Sequence, residues 1–399
     1  MDAQVPLVGL GAITAIGNSV NECLTAFREG RSGVGDITFL NTRYRGSVPV
    51  AEVKLSSHAL AARAGVHHDT GRSVTMSIIA AQEALNDAGI DHLSSFRVGF
   101  VSSNTVGRID MVDEFFTRFI EDQTKGRLRH VFDHECGGVT QAAADHLGIK
   151  DFVTTINTAC SSSANAIAYG ARLIRNDIID IVVAGGTDAL TKFTLNGVVS
   201  LMLTDKNPSK PFDQNRAGLN LGEGAGYVVM VSEKMLAHCR KGPYCTLRGF
   251  NNSNDAFHDT SSSSEGTGPY LAMKNALAKA NLAPADIDYI NLHGTGTENN
   301  DITESAALQR LFGDDCPPIS STKSFTGPTL GACGGIEAVF SVLAISEGII
   351  FPNLRFETQM EGSSHIPATT FVSGQTINNV MSNSFGFGGN CTSLIFSKI

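Results

Sequence analysis

Along this chain, short continuous apolar runs alternate with segments of helical periodicity, the pattern of α/β layers. The opening run VPLVGLGA predicts a strand, followed by a glycine turn and a helix over residues 20–28. Residues 74–88 are apolar at helical spacing, and 98–102 read as a strand. From residue 153 the pattern sharpens. Residues 153–157 predict a strand ending at Ala159-Cys160, 161–176 a helix rich in small residues, and 178–184 a nearly all-apolar strand. Such uninterrupted apolar strands are buried on both faces. Residues 227–231, preceded by GEGAG, predict another. The second half continues with a helix over 269–280, a strand over 287–292 ending at His293, a helix over 334–347, and a last strand over 392–396. The polar segment 104–129 carries Phe115, Phe116 and Phe119 at helical spacing, which favours interface or core over a ligand site. The serine run 261–264 reads as a loop. No motif repeats at a fixed period, yet both halves place reactive residues just past strand ends. A soft boundary within 241–250 divides the chain into halves, 1–245 and 246–399.

Composition narrows the function classes. Only 17% of the 399 residues are charged, against about 25% in average soluble proteins, so much surface is expected to be hidden in a partner subunit. With 42% hydrophobic residues, disorder and coiled coil are excluded. The net charge is -9 and no long basic block is visible, so no nucleic-acid partner is expected. No apolar run reaches the roughly 18 residues of a membrane helix, and no membrane association is expected. The opening MDAQVPLVGLGA lacks a basic leader, which makes the cytoplasm the expected location. Eight cysteines without a CxxC pair form neither a disulfide scaffold nor a structural zinc site, and no metal is expected.

The reactive candidates are few. Cys160, in TACSSS, sits where a buried strand turns into a helix, where helix-terminal N–H groups lower a thiol pKa and stabilise an oxyanion. An inert buried cysteine is the alternative. His293 ends a strand in HGTGTENND, placed for proton transfer or enolate stabilisation; a structural histidine is equally open. Lys323, in STKSFTGPTLGACGG, and Glu337 on the following helix can form a buried pair or an ordinary ion pair. The FGFGG of residues 385–389 supplies flexible backbone and an aromatic able to swing over a cavity, or a glycine turn with two core phenylalanines. GLGAITAIG lacks the acidic residue and ordered βαβ unit of a dinucleotide site.

Five motifs in order, NTACSSS, KPFDQNRAGLNLGEGAG, HGTGTENND, KSFTGPTLGACGG and NSFGFGG, resemble the β-ketoacyl-acyl carrier protein synthase family of condensing enzymes over nearly the whole chain. The resemblance implies a thiolase-like αβαβα sandwich of two similar halves, assembled as a homodimer or as a heterodimer with a related synthase subunit. It implies Cys160 as acyl acceptor, the backbone N–H groups of Cys160 and Phe387 as oxyanion hole, and Phe387 as gate. His293, Lys323 and Glu337 match catalytic positions, and Thr295 and Thr297 match positions that bind the phosphopantetheine arm. No cofactor is bound in such enzymes; substrates arrive on the phosphopantetheine of acyl carrier protein. The activity implied is decarboxylative Claisen condensation in fatty acid or polyketide synthesis.

One departure bears on the chemistry. The family pattern KS(x)TGHT(x)GAAG reads KSFTGPTLGACGG here, so Pro328 stands where a second histidine is usual and Cys333 where alanine is common. Proline offers neither a side-chain donor nor a backbone N–H. The alternatives are therefore a non-elongating acyltransferase and a chain-length-factor-like partner subunit. Because carriers are acidic, Lys206, Lys210 and Arg216 stand as candidates for a basic docking patch.

Overall fold

In the computed structural model, which describes residues 4–90, 93–132 and 134–399, ten strands make the frame. They are β1 (Pro6–Thr14), β2 (Val98–Ser103), β3 (Phe152–Ile156), β4 (Ile181–Asp188), β5 (Gly224–Val231), β6 (Cys245–Asn254), β7 (Tyr289–Asn291), β8 (Ile319–Ser320), β9 (Asn379–Phe385) and β10 (Asn390–Ser397). Their order is β3-β2-β4-β5-β1-β6-β10-β9-β7-β8. Adding five to each strand number turns β3-β2-β4-β5-β1 into β8-β7-β9-β10-β6, which is the second half read from its outer edge. The halves therefore share one topology. They meet through the short antiparallel ladder Pro6↔Thr246 and Leu7↔Cys245. The repeat lies in topology, so a search for sequence periodicity misses it.

Helices complete five layers. The Arg72–Ala88 helix packs on β1 and β5, and the Cys136–Leu147 helix lies beside it against β2 and β3. On the other face, the Ser162–Arg175 helix packs on β4 and β2. The Cys333–Glu347 helix touches β5 of the first half and β9 of the second, so it lies between them. The Thr267–Ala280 helix covers β6 and β10, with the Glu298–Phe312 helix against it. This is the αβαβα sandwich. Along β5, Val228 and Met230 enter the central core, while Tyr227, Val229 and Val231 enter the outer one. Both faces are buried, and the continuous apolar runs follow from that.

Several elements depart from the sequence expectations. The segment 104–129 contains a helix, Ile109–Glu121, with Phe116 57% exposed and the Phe115 and Phe119 rings stacked 5.6 Å apart at the surface. Of the two expected roles, interface or core, the exposure rules out core only. β6 crosses the 241–250 boundary region, starting at Cys245. The apolar stretch Leu330–Glu347 is long enough to span a membrane by composition, but it is mostly buried as the central helix.

Phe27 pins the halves together. Its ring lies 4.7 Å from Phe325, 4.9 Å from Phe340 and 4.5 Å from Phe351, all from the second half, and all four are fully buried. Phe27→Ala removes a ring from this cluster and leaves a cavity. It should cost about 3–5 kcal/mol, read as a lowered denaturation midpoint.

Candidate active site

Cys160 is placed by a strained turn. β3 ends at Ile156, and three residues later Ala159 adopts φ +53°, a left-handed conformation that costs a non-glycine residue about 1–2 kcal/mol. Hydroxyls hold the turn. Ser162 Oγ accepts the Thr158 N–H at 2.8 Å and donates to the Ala159 carbonyl at 2.5 Å. Ser161 Oγ donates to Asn390 Oδ1 at 2.7 Å. That same oxygen accepts from Asn165 at 2.9 Å and Asn252 at 2.6 Å, so one carboxamide ties the cysteine turn to β6 and β10. Gly386 lies so near that a Cβ there would come within 2.8 Å of the Thr158 carbonyl oxygen and 3.1 Å of the Cys160 nitrogen. Only glycine allows this approach of the Phe387 loop to the cysteine.

The thiol is not activated in this state. Burial pushes Cys160 up to about 12, neighbouring Cys333 adds to the rise, and Lys323 opposes it. Against the expected lowering at a helix start, Cys160 precedes the Ser162–Arg175 helix by two residues and its pKa is raised, chiefly by burial.

His293 stands on a loop held by acids from the next helix. Glu304 accepts the His293 N–H at 2.9 Å and the Gly294 N–H at 2.8 Å, and Asp301 accepts the Gly296 N–H at 3.2 Å and the Phe212 N–H at 2.8 Å. Sequence reasoning missed both acids. Their signal was two carboxylates on the first turns of a helix directly after a glycine loop. Burial raises Glu304 to about 7, against the pull of its two N–H donors. Behind His293, Lys323 Nζ lies 3.3 Å from Nδ1 and is ion-paired with Glu337. All three side chains are buried. Burial alone would lower the Lys323 pKa, but Glu337, with Cys333 and Glu304, more than compensates and it stands above its ordinary value. Burial, with Lys323 adding to it, holds His293 well below its ordinary value. An ammonium can only donate. Nδ1 is therefore the acceptor, and the neutral imidazole carries its proton on Nε2, a tautomer assigned from this geometry.

These parts open on one cavity of about 510 Å³. Cys160, His293, Pro328, Phe385 and Phe387 line it together with Thr295 and Thr297, whose hydroxyls are 2.9 Å apart. An apolar wall is formed by Val198, Leu201, Met202, Leu203, Leu219 and Leu330. Lys323 and Glu337 do not line it and lie behind His293. The Pro328 carbonyl accepts the Gly222 N–H at 2.8 Å, and the ring faces the cavity without a polar group. Phe387 is 43% exposed in a loop with Gly388 and Gly389 at φ +78° and +77°, a conformation that glycine adopts without strain.

Of the three residues named for a basic docking patch, Arg216 is corrected, while Lys206 is exposed. Arg216 is buried, with its guanidinium 3.8 Å from Asp301 and bonded to the Asp213 carbonyl at 2.9 Å, and Lys210 pairs with Glu357 at 2.9 Å. Arg216 braces the HGTGT loop instead. A surface cluster of His67, His68 and Asp69 has ligand-type atoms within 4.8 Å. Arg127 and Arg129 already neutralise Asp69, which disfavours a cation.

The site has relatives. The family model described as beta-ketoacyl synthase, N-terminal domain, matches residues 2–235, and that of the C-terminal domain matches 244–357. The chain is 33% identical over 414 residues to a 3-oxoacyl-[acyl-carrier-protein] synthase 2 of Coxiella burnetii, covering 99% of each. It is 32% identical to nodulation protein E of Rhizobium leguminosarum bv. trifolii, covering all of both. Among solved structures, the ishigamide ketosynthase/chain length factor superposes with a TM-score of 0.93 at 28% identity, covering 100% of both chains. The ketosynthase ApeO in complex with its chain length factor ApeC from Xenorhabdus doucetiae gives 0.83 at 29%, covering 100% of this chain and 98% of that one. With both domain models matched across most of its length, this chain belongs to the beta-ketoacyl synthase family.

Proposed function

We propose that the chain is an acyltransferase that performs decarboxylative Claisen condensation, extending an acyl thioester on Cys160 with a malonyl unit carried by acyl carrier protein. The observation that carries this reading is the shared cavity of Cys160 and His293, with the buried Lys323–Glu337 pair fixing the imidazole from behind.

The steps follow from the groups present. Cys160 Sγ attacks the acyl thioester carbonyl, and the carrier thiol leaves with the proton that Cys160 gives up. The N–H groups of Cys160 and Phe387, on either side of Gly386, receive the developing oxyanion. Malonyl carrier then enters past Phe387. Its carbon–carboxylate bond breaks, carbon dioxide leaves, and the electron pair becomes a thioester enolate. His293 Nε2–H donates to the enolate oxygen, because Lys323 keeps the proton off Nδ1. The enolate carbon attacks the acyl-cysteine carbonyl, the carbon–sulfur bond breaks, and the Cys160 thiolate takes up a proton. Thr295 and Thr297 line the path that the phosphopantetheine arm would take. The protein itself needs no resident cofactor and works in the cytoplasm. The two repeated halves, 1–245 and 246–399, supply the nucleophile and the enolate-stabilising histidine respectively.

A second subunit fits the same picture. β3 is an outer strand of the sheet, and Phe116, Ile120, Phe193 and Met202 are exposed large apolar side chains in the first half. The partner is a second copy or a related synthase subunit. Pro328 favours a second reading, in which Cys160 holds or transfers an acyl group without elongation, or the chain shapes a partner's cavity.

Four outcomes test these statements, beginning with the reaction itself. Incubation with acyl carrier and malonyl carrier should yield a carrier with the β-ketoacyl mass, and Cys160→Ala should yield none. Acylated Cys160 beside unchanged malonyl carrier would support the second reading. Pro328→His should raise malonyl decarboxylation about a hundredfold, the value of one donor aimed at the developing charge; an unchanged rate would show that this position does not limit turnover. Because Cys160 stands near 12, it is protonated at neutrality. Its alkylation by iodoacetamide should climb about tenfold per pH unit between roughly pH 7 and 9, whereas a helix-activated thiol would level off below that range.

A further inference from the structure

Asp188, the last residue of β4, is fully buried and takes no part in the steps above. It also lies outside all five sequence motifs. Two segments donate to it. Thr105, two residues past β2, gives its N–H to Oδ1 at 3.0 Å and its hydroxyl to Oδ2 at 3.0 Å. Gly331 gives its N–H to Oδ2 at 2.7 Å. The approach is close, since a Cβ on Gly331 would lie 2.9 Å from that oxygen and 3.0 Å from Thr105 Cγ2. Ser103 Oγ donates to the Gly331 carbonyl at 3.1 Å, so both backbone polar groups of Gly331 are held. The residue just before it faces the cavity. Leu330 stands at φ +53°, a left-handed conformation unfavourable for leucine, and it lines the cavity in one apolar cluster with Val198, Leu203 and Leu219. On its other flank the Pro328 carbonyl accepts the Gly222 N–H, and the Thr329 N–H goes to Cys333 Sγ at 3.1 Å. Burial pushes Asp188 up to about 7, against the Thr105 and Gly331 donors. An ionisable group is costly at this depth, but a carboxylate supplies two acceptor oxygens and no donor, which these three donors require.

We propose that Asp188 is a positioning residue that sets the width of the acyl cavity: its carboxylate clamps Gly331 to Thr105 and so holds Leu330, in its left-handed turn, against the apolar wall. This rests on the reading that an acyl chain on Cys160 occupies this cavity. Released from the clamp, residue 330 relaxes toward a right-handed or extended backbone, its side chain leaves the wall, and the cavity widens. Asp188 bears on the acyl chain only through Leu330. Thr105 also reaches the nucleophile side, because its carbonyl accepts Asn157 Nδ2 at 3.2 Å. A test must therefore separate cavity width from the reactivity of the Cys160 thiol.

The full chain is alkylated with N-ethylmaleimide and, separately, with N-octylmaleimide, and the mass of the Cys160 peptide gives each rate. A change in the thiol alters both rates alike and cancels in the octyl-to-ethyl ratio, whereas a change in cavity width does not. Leu330→Ala removes the wall and should raise that ratio about tenfold, the effect of room for a methylene in an apolar pocket. Asp188→Ala should raise it in the same direction, and Asp188→Asn, which keeps one acceptor oxygen, should raise it by less. In the Leu330→Ala background neither Asp188 substitution should shift the ratio further, whereas a general loosening of the fold would shift both backgrounds equally. If Asp188→Ala does not fold, Asp188→Asn carries the same comparison. A ratio unmoved by Leu330→Ala or by the Asp188 substitutions, or equal shifts with and without Leu330, would overturn the proposal. Neither probe needs a carrier or a condensation step. An overturned clamp therefore leaves the condensation reading standing, and the absence of a β-ketoacyl product leaves the ratio measurable.

Discussion

The buried Lys323 ammonium is the constraint on which the site depends. An ion this deep costs several kcal/mol in lost hydration, and a partner must offset that cost. Glu337 provides the partner from the central helix, and His293 Nδ1 takes a further contact at 3.3 Å. Lys323 follows β8, His293 follows β7, and Glu337 reaches them from the helix that also packs on β5. The pair therefore joins the end of β8 to the central helix. In joining them, it fixes which imidazole nitrogen faces the cavity. The electrostatic cost of the pair and the choice of imidazole tautomer are one arrangement.

The cysteine side is organised by a different force. Its strained turn is held by short polar side chains, with Asn390 collecting donors from Ser161, Asn165 and Asn252. These carboxamides and hydroxyls cross from the first half to the second, so the position of Cys160 depends on strands far away in sequence.

How much of this was legible in the sequence depends on the type of signal. The apolar strands β4 and β5 and the helices 162–175 and 333–347 follow from periodicity, with shifts of a few residues at the ends. β6, CTLRGFNNSN, and β9, NVMSNSF, carry asparagines and serines that read as loop, yet both strands use polar side chains to bond β10 between them, Asn252 to Thr392 and Asn383 to Ser393, each at 2.8 Å. The duplicated topology leaves no periodic trace, because strand order is set by packing and not by repeated residues. The proximity of Cys160, His293, Lys323 and Glu337 came from motif resemblance and not from spacing. Glu304 and Asp301 went unread because a carboxylate that holds a loop looks, in sequence, like any acidic helix start. The thiol was misjudged for a physical reason: helix position was weighed and desolvation was not.

The central claim is that burial and Lys323 hold His293 neutral, with its proton on Nε2. Nitrogen NMR of the imidazole, with the signal assigned by its loss in His293→Gln, tests this directly. The account predicts a protonated Nε2, an unprotonated Nδ1, and shifts that stay constant as the pH falls through the ordinary histidine value of 6.5. A midpoint at that value, or a proton on Nδ1, would contradict it.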